Sequence, residues 1–120
     1  MTQGMIRIKR VYHRASKGDC WRVLVDRLWP RGMKKEAAKI DLWMKDIAPS
    51  DVLRKSYGHD VTKWPSFQMN YRTELRKKKH LLKELRSMEK EHGTLTLLFG
   101  AKDEAHNQAL VLAEVLKQTE

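Results

Sequence analysis

TLTLLFGAKD, residues 94–103, is the stretch that decides the fold of this chain. Its first six residues are apolar or β-branched and lie between Gly93 and Gly100, a pattern typical of a buried strand. Asp103 then stands where a helix N-cap is expected, and one face of the following helix is apolar: Ala105, Ala109, Leu112 and Leu116. A strand, a glycine turn and a capped helix are typical of an α/β protein.

Two further strands are predicted upstream. Met5–Tyr12 alternates apolar and basic residues, which indicates a half-exposed strand near a sheet edge. Trp21–Leu28 is more continuously apolar and is therefore expected to lie more centrally. Because helical patterns separate these strands, the sequence predicts one mostly parallel sheet with helices on both faces.

The middle of the chain shows mainly helical patterns. Ser50 is a suitable cap for a helix that begins at Asp51 and stops at Gly58. The sequence also predicts a short helix at Lys34–Lys39 and an extended segment at Ile40–Met44. A long helical region is predicted at Trp64–His92, with a break near the triple lysine 77–79.

Length and composition indicate one soluble domain over residues 1–120. The chain is 41% hydrophobic and 33% charged, and no apolar run approaches the ~20 residues of a membrane span. The N-terminus shows no apolar signal-peptide core, so we expect a cytoplasmic protein without a membrane partner, and with the single cysteine Cys20 no internal disulfide can form. Residues 1–4 precede a second methionine, Met5, and we expect an unfolded start or added residues there.

The net charge of +10 admits nucleic acid as a non-specific partner. Between Ser66 and His92 there are eight Lys and Arg residues and four Glu residues, a local net charge of +4 that is less than half of the total. The remaining positive charge is spread along the chain, and no single basic stripe is visible. A solvated basic surface is therefore the simpler interpretation.

The most informative site motif is VDRLWPRG, residues 25–32. An apolar strand delivers Asp26 and Arg27 into a turn that Pro30 stiffens, and Arg31 follows. If this strand is parallel to Thr94–Phe99, the loops after both strands emerge at the same sheet edge, where ligands bind in open α/β folds. The second loop then contributes Gly100, Lys102, Asp103, His106 and Asn107.

This convergence predicts a site for a small anionic ligand. Asp26 and His106 are the candidate acid–base residues, and Arg27 and Arg31 would bind charge. The other candidate ligand-binding residues are Gly100, Lys102, Asp103, Asn107 and His59. Free helix amides near Gly100 favour an anion, although the glycines of a true phosphate loop are missing.

Structural roles compete with these functional ones. Asp26 could pair with Arg27, Arg31 or backbone amides, and Asp103 could simply be a cap. His106 and Asn107 could lock the final helix onto the strand loops by hydrogen bonds. Asp103, His106 and His59 form only a weak metal-binding pattern, so neither a metal nor a cofactor is predicted.

Four motifs together resemble the YeaO-like family, a widespread bacterial and archaeal family of unknown function. They are VLVDRLWPRG from Val23, WMKDIAPS from Trp43, LRKSYGH from Leu53 and TLLFGAKD from Thr96, and the likeness runs from about Ile6 to Leu116. The resemblance implies a small cytoplasmic α/β domain without an established reaction. No helix-turn-helix pattern is visible in the chain.

Two functions from different classes follow. The first is an enzyme or binding protein for a small anionic molecule, phosphorylated or nucleotide-like, at the carboxyl edge of the strands. The alternative is a nucleic-acid-binding module that uses its basic helices. A concave pocket holding Arg27, Arg31 and His106 would favour the first, and a continuous convex basic face from Arg72 to Lys90 would favour the second. The residues decide neither the reaction nor the oligomeric state.

Overall fold

A computed structural model describes residues 4–118 of the chain and contains a four-stranded, all-parallel sheet. The strands are β1 (Met5–Arg10), β2 (Trp21–Leu24), β3 (Leu42–Trp43) and β4 (Thr94–Phe99), in the order β1-β4-β2-β3. The predicted α/β fold is confirmed, with β1 at an edge and β2 inside the sheet. The expectation for residues 1–4 falls almost wholly outside the described residues.

Within residues 4–118 the helices follow the predicted patterns closely. They are α1 (Lys35–Ala38), α2 (Asp51–Tyr57), α3 (Trp64–Arg76), α4 (Lys79–His92) and α5 (Gln108–Gln118). Ser50 caps α2, since its Oγ accepts a hydrogen bond from Leu53 N at 3.2 Å, and Gly58 ends it with φ 53°. Three single-turn 3-10 segments lie at residues 17–19, 45–47 and 61–63.

Alternating side chains give the sheet two unequal faces. Leu95, Leu97 and Phe99 of β4 point toward the main core, which α2 to α5 cover. Leu98 points the other way, into a smaller cluster with Leu24 and Ala38 of α1. Helices therefore lie on both faces as predicted, but only the four-residue α1 covers the second face, together with loop residues.

The start of the final helix was predicted too early. Asp103 Oδ1 accepts hydrogen bonds from Ala105 N at 2.9 Å and His106 N at 3.0 Å, so Asp103 closes a local turn. The helix begins only at Gln108, where Asn107 Oδ1 accepts from Leu110 N at 3.2 Å. Asp and Asn are both good N-caps, but the Asp103 carboxylate caps the turn that precedes the helix, and Asn107 caps the helix itself.

A buried ion pair supports the second face. Asp19 Oδ2 lies 2.5 Å from Nη1 of Arg22 on β2, and the two side chains are 0% and 5% exposed. Arg22 also donates to the carbonyls of Ala38 at 2.7 Å and Lys39 at 3.0 Å. Lys9 of β1 lies 3.0 Å from the same carboxylate. This network joins β1, β2 and the end of α1.

The surroundings of Asp19 favour its ionised form. Burial raises the pKa of its carboxyl, but hydrogen bonds from the Ser16 amide and hydroxyl, Lys9 and Arg22 outweigh this effect. The pKa therefore lies well below its ordinary value. Neutralising this carboxyl would leave Arg22 buried without its counter-charge.

Replacing Asp19 by Asn should therefore destabilise the protein by about 3 kcal/mol, since breaking a buried pair leaves an uncompensated charge. Urea unfolding followed by circular dichroism measures the change. Glu84→Gln, at an exposed position of α4, is the control and should stay within about 0.5 kcal/mol. A loss for Asp19→Asn no larger than that of the control would contradict the assigned role.

Candidate functional site

The carboxyl ends of β2 and β4 meet at one edge of the sheet. Leu24 pairs with Leu98, and Val25 N donates to Leu98 O at 3.0 Å just beyond β2. Asp26 consequently emerges beside Gly100, the first residue after β4. The predicted convergence of the two loops is confirmed, because parallel neighbours must end on the same side.

A cleft of about 490 Å³ opens at this edge. It is lined by most of the predicted site residues, namely Asp26, Arg27, Arg31, His59, Gly100, His106 and Asn107, and not by Lys102 or Asp103. Arg27 and Arg31 thus share a cleft with the loop after β4, as predicted. Its volume lies within the range of small-molecule sites.

Asp26 lies half-buried in the cleft and is held by two neutral donors. Gly100 N donates to its Oδ2 at 2.8 Å, and Gln108 Nε2 donates to its Oδ1. The predicted burial and backbone hydrogen bond are therefore confirmed. Burial raises the pKa of Asp26 to about 6, although both hydrogen bonds act in the opposite direction.

Gly100 lies directly against Asp26. A Cβ at this position would lie 2.9 Å from Oδ2 of Asp26, so a larger residue would displace this carboxylate. The Gly100 amide donates to the protein's own carboxylate. A bound anion must therefore find its donors elsewhere in the cleft.

The two predicted arginines differ in role. Arg27 donates through Nε to Pro49 O at 3.0 Å and through Nη2 to Ala48 O at 3.3 Å, and so braces the segment before α2. Arg31 is exposed, and its carbonyl accepts a hydrogen bond from the Tyr12 hydroxyl at 2.7 Å. Within residues 4–118 no carboxylate pairs with the Arg31 guanidinium, which leaves it available to a ligand.

Sequence reasoning missed the basic residues of α2. Arg54 and Lys55 line the cleft next to His59. Arg54 forms an exposed pair with Asp51 at 3.3 Å, whereas Lys55 has no ion pair in the described part of the chain. The motif LRKSYGH contained these residues, but nothing in it shows that α2 lies at the carboxyl edge of the sheet.

Asp103, which does not line the cleft, orients the His106 ring. Its Nδ1 lies 2.9 Å from Oδ2 of Asp103, and its ring meets Trp64 edge-on with centroids 5.3 Å apart. Hydrogen bonds from the Ala105 amide and the His106 ring lower the pKa of Asp103. Asp103 thus fixes the orientation of the His106 ring, and His106 lines the cleft.

Aromatic side chains form one wall of the cleft. Tyr57 and Phe67 both line it, with ring centroids 4.7 Å apart. Trp64 stacks on Phe67 from the side at 5.6 Å. Tyr57 and Phe67 are largely buried, at 8% and 4% exposed, and Tyr71 is fully buried and donates to Ile47 O at 2.7 Å, so all three also belong to the core. Across residues 4–118, no three His, Cys, Asp or Glu side chains are grouped as a metal site.

Comparison with known proteins assigns the chain to one family. A family model described as the inactive DUF488-N3 subclade matches residues 5–120. The chain is 44% identical over 112 residues to the uncharacterised protein YeaO of Escherichia coli, covering 93% of this chain and 96% of the relative. It is 36% identical over 111 residues to uncharacterised proteins of Mycobacterium bovis and Mycobacterium tuberculosis, covering 92% of each chain. No solved structure matches it significantly.

Replacing Asp26 by Asn should stabilise the protein at neutral pH. Its folded pKa of about 6 lies above the ordinary 3.8, so the protein loses stability as the pH rises between these values. Asn cannot ionise, and rotation of the Gln108 amide would preserve the hydrogen bond. We expect a gain of about 2 kcal/mol near neutral pH that disappears in acid, measured by urea unfolding across pH.

Asp26→Ala is the matched comparison for this experiment. It also removes the ionisable group, but it leaves the Gly100 amide without its acceptor, so it should lose stability where Asn gains it. A gain for Asp26→Asn that did not depend on pH would contradict the ionisation argument.

Proposed function

This chain belongs to the YeaO-like DUF488 family, and because that membership brings no reaction with it, we propose a function from the cleft. The protein binds a small anionic, phosphate-bearing molecule there. The site lies at the carboxyl edge of the strands, the usual place of ligands in parallel α/β sheets. Four cationic side chains and one carboxylate line the cleft: Arg27, Arg31, Arg54, Lys55 and Asp26.

The proposal rests on the cations of the cleft that have no carboxylate partner in the described part of the chain. Arg31 and Lys55 come from different segments and line one cleft, and no carboxylate among residues 4–118 neutralises either. Arg54 can exchange its exposed partner for a ligand. Arg27 adds charge while its hydrogen bonds hold the cleft wall. Such a cluster is suited to bind a phosphate group.

Binding without turnover is the form of this function that we propose. The description of the matching family as an inactive subclade supports it. Asp26 and His106, the candidate acid–base residues, then act as ligand contacts. A cytoplasmic location is part of the proposal, supported by the exposed and unpaired Cys20. Within residues 4–118 no helix is long and apolar enough to cross a membrane.

The nucleic-acid alternative has less support from the geometry. Arg72 of α3 pairs with Glu114, and Arg86 of α4 pairs with Glu89 at 2.8 Å, so part of the basic helical surface is neutralised within the fold. Arg27, Arg31 and His106 instead share a concave cleft. This is the arrangement that favours a small ligand.

Arg31→Gln and Lys55→Gln should each weaken the binding of ribose 5-phosphate about 10-fold, because each removes a charge-assisted hydrogen bond. Isothermal titration calorimetry at low salt measures the affinities. Lys83→Gln removes the same charge from an exposed position of α4 outside the cleft, and should change affinity less than about 2-fold. Equal losses in all three variants would refute a localised site.

DNA and RNA should bind weakly, without sequence preference, and lose affinity steeply as salt rises, because only the diffuse positive charge attracts them. Fluorescence anisotropy with a labelled duplex and a labelled single strand measures this dependence. Tight and sequence-selective binding at physiological salt would place the nucleic-acid function first.

A further inference from the structure

The position of Asp26 restricts which anion the cleft can take. Its carboxylate lies in the same cleft as Arg31 and Lys55. A compact anion that filled the whole cleft would be repelled by this carboxylate whenever Asp26 is ionised. A ligand that suits both the two cations and the carboxylate is anionic at one end and donates hydrogen bonds at the other.

Asp26 still has acceptor capacity. Its Oδ2 accepts one hydrogen bond from Gly100 N and its Oδ1 accepts one from Gln108. An ionised carboxylate offers about four acceptor positions on its two oxygens, so one on each oxygen remains for a ligand. Two adjacent N–H groups of a ligand match such a pair of oxygens.

The same cleft has an apolar part. Tyr57 and Phe67 pack against each other with centroids 4.7 Å apart, and both line the cleft. His106, held by Asp103, lines the same cleft. An apolar lining with a few polar groups is typical of small-molecule sites. The cleft volume of about 490 Å³ is adequate for a mononucleotide.

From these observations we infer that the ligand is a nucleotide whose base presents two adjacent N–H donors to Asp26, as a guanine-type base does, while Arg31 and Lys55 bind its phosphate. This inference rests on the proposed function and names the substrate class of the same site. Asp26 is then the residue that determines base specificity, and Gly100 and Gln108 orient it.

Guanosine monophosphate and inosine monophosphate test the inference, since they differ only in the amino group beside the ring N–H. We expect the guanine nucleotide to bind about 10-fold more tightly to the unchanged protein, because it donates one more hydrogen bond to a charged acceptor. Asp26→Asn should bring the ratio to about 1, because its amide offers one acceptor oxygen in place of two. Arg31→Gln should weaken both nucleotides equally and keep the ratio.

The outcomes separate the two proposals. Equal binding of both nucleotides, together with binding of ribose 5-phosphate, would overturn the base assignment and leave the proposed function standing. Failure of all three compounds to bind would overturn both. A preference for guanine that Asp26→Asn retains would show that another residue reads the base, against this inference. The comparison in the unchanged protein does not depend on the folding of any variant.

Discussion

The parallel pairing of β2 with β4 is the constraint on which the rest of this structure depends. It aligns Leu24 with Leu98 and carries one more hydrogen bond, from Val25 N to Leu98 O, past the end of β2. Asp26 therefore lies within 2.8 Å of the Gly100 amide. A shift of one residue in this register would turn the buried side chains to the opposite face and move Asp26 out of the cleft.

Asp19, which is buried, and Asp26, which is half-buried, show how the same residue type serves different purposes in this fold. Asp19 accepts hydrogen bonds from the Ser16 amide, Lys9 and Arg22, which outweigh the effect of its burial, keep its pKa low and make its charge part of the scaffold. Asp26 receives hydrogen bonds from two neutral donors, Gly100 and Gln108, and burial raises its pKa to about 6. An ionised carboxylate under these conditions lowers stability at neutral pH, and groups with perturbed pKa values cluster at functional sites.

Sequence reasoning succeeded where the controlling interactions are local. The apolar and β-branched run Thr94–Phe99, the Ser50 cap and the break near Lys77 depend on neighbouring residues, and each was predicted. It failed at Asp103, because two capping residues compete within five positions and only packing decides which of them begins the helix. The contribution of Lys55 was missed since a short helix carries no local signal of which sheet edge it will meet.

The sequence by itself determined the α/β class, most element boundaries and the meeting of two polar loops, because strand and helix periodicities are local and parallel neighbours share one edge. Only the tertiary structure decided how the charges are used. It assigned Arg27 to the backbone of Ala48 and Pro49, left Arg31 available, and joined the Gly100 amide to Asp26. These outcomes depend on which groups burial forces to pair, and burial is a property of the whole packed chain.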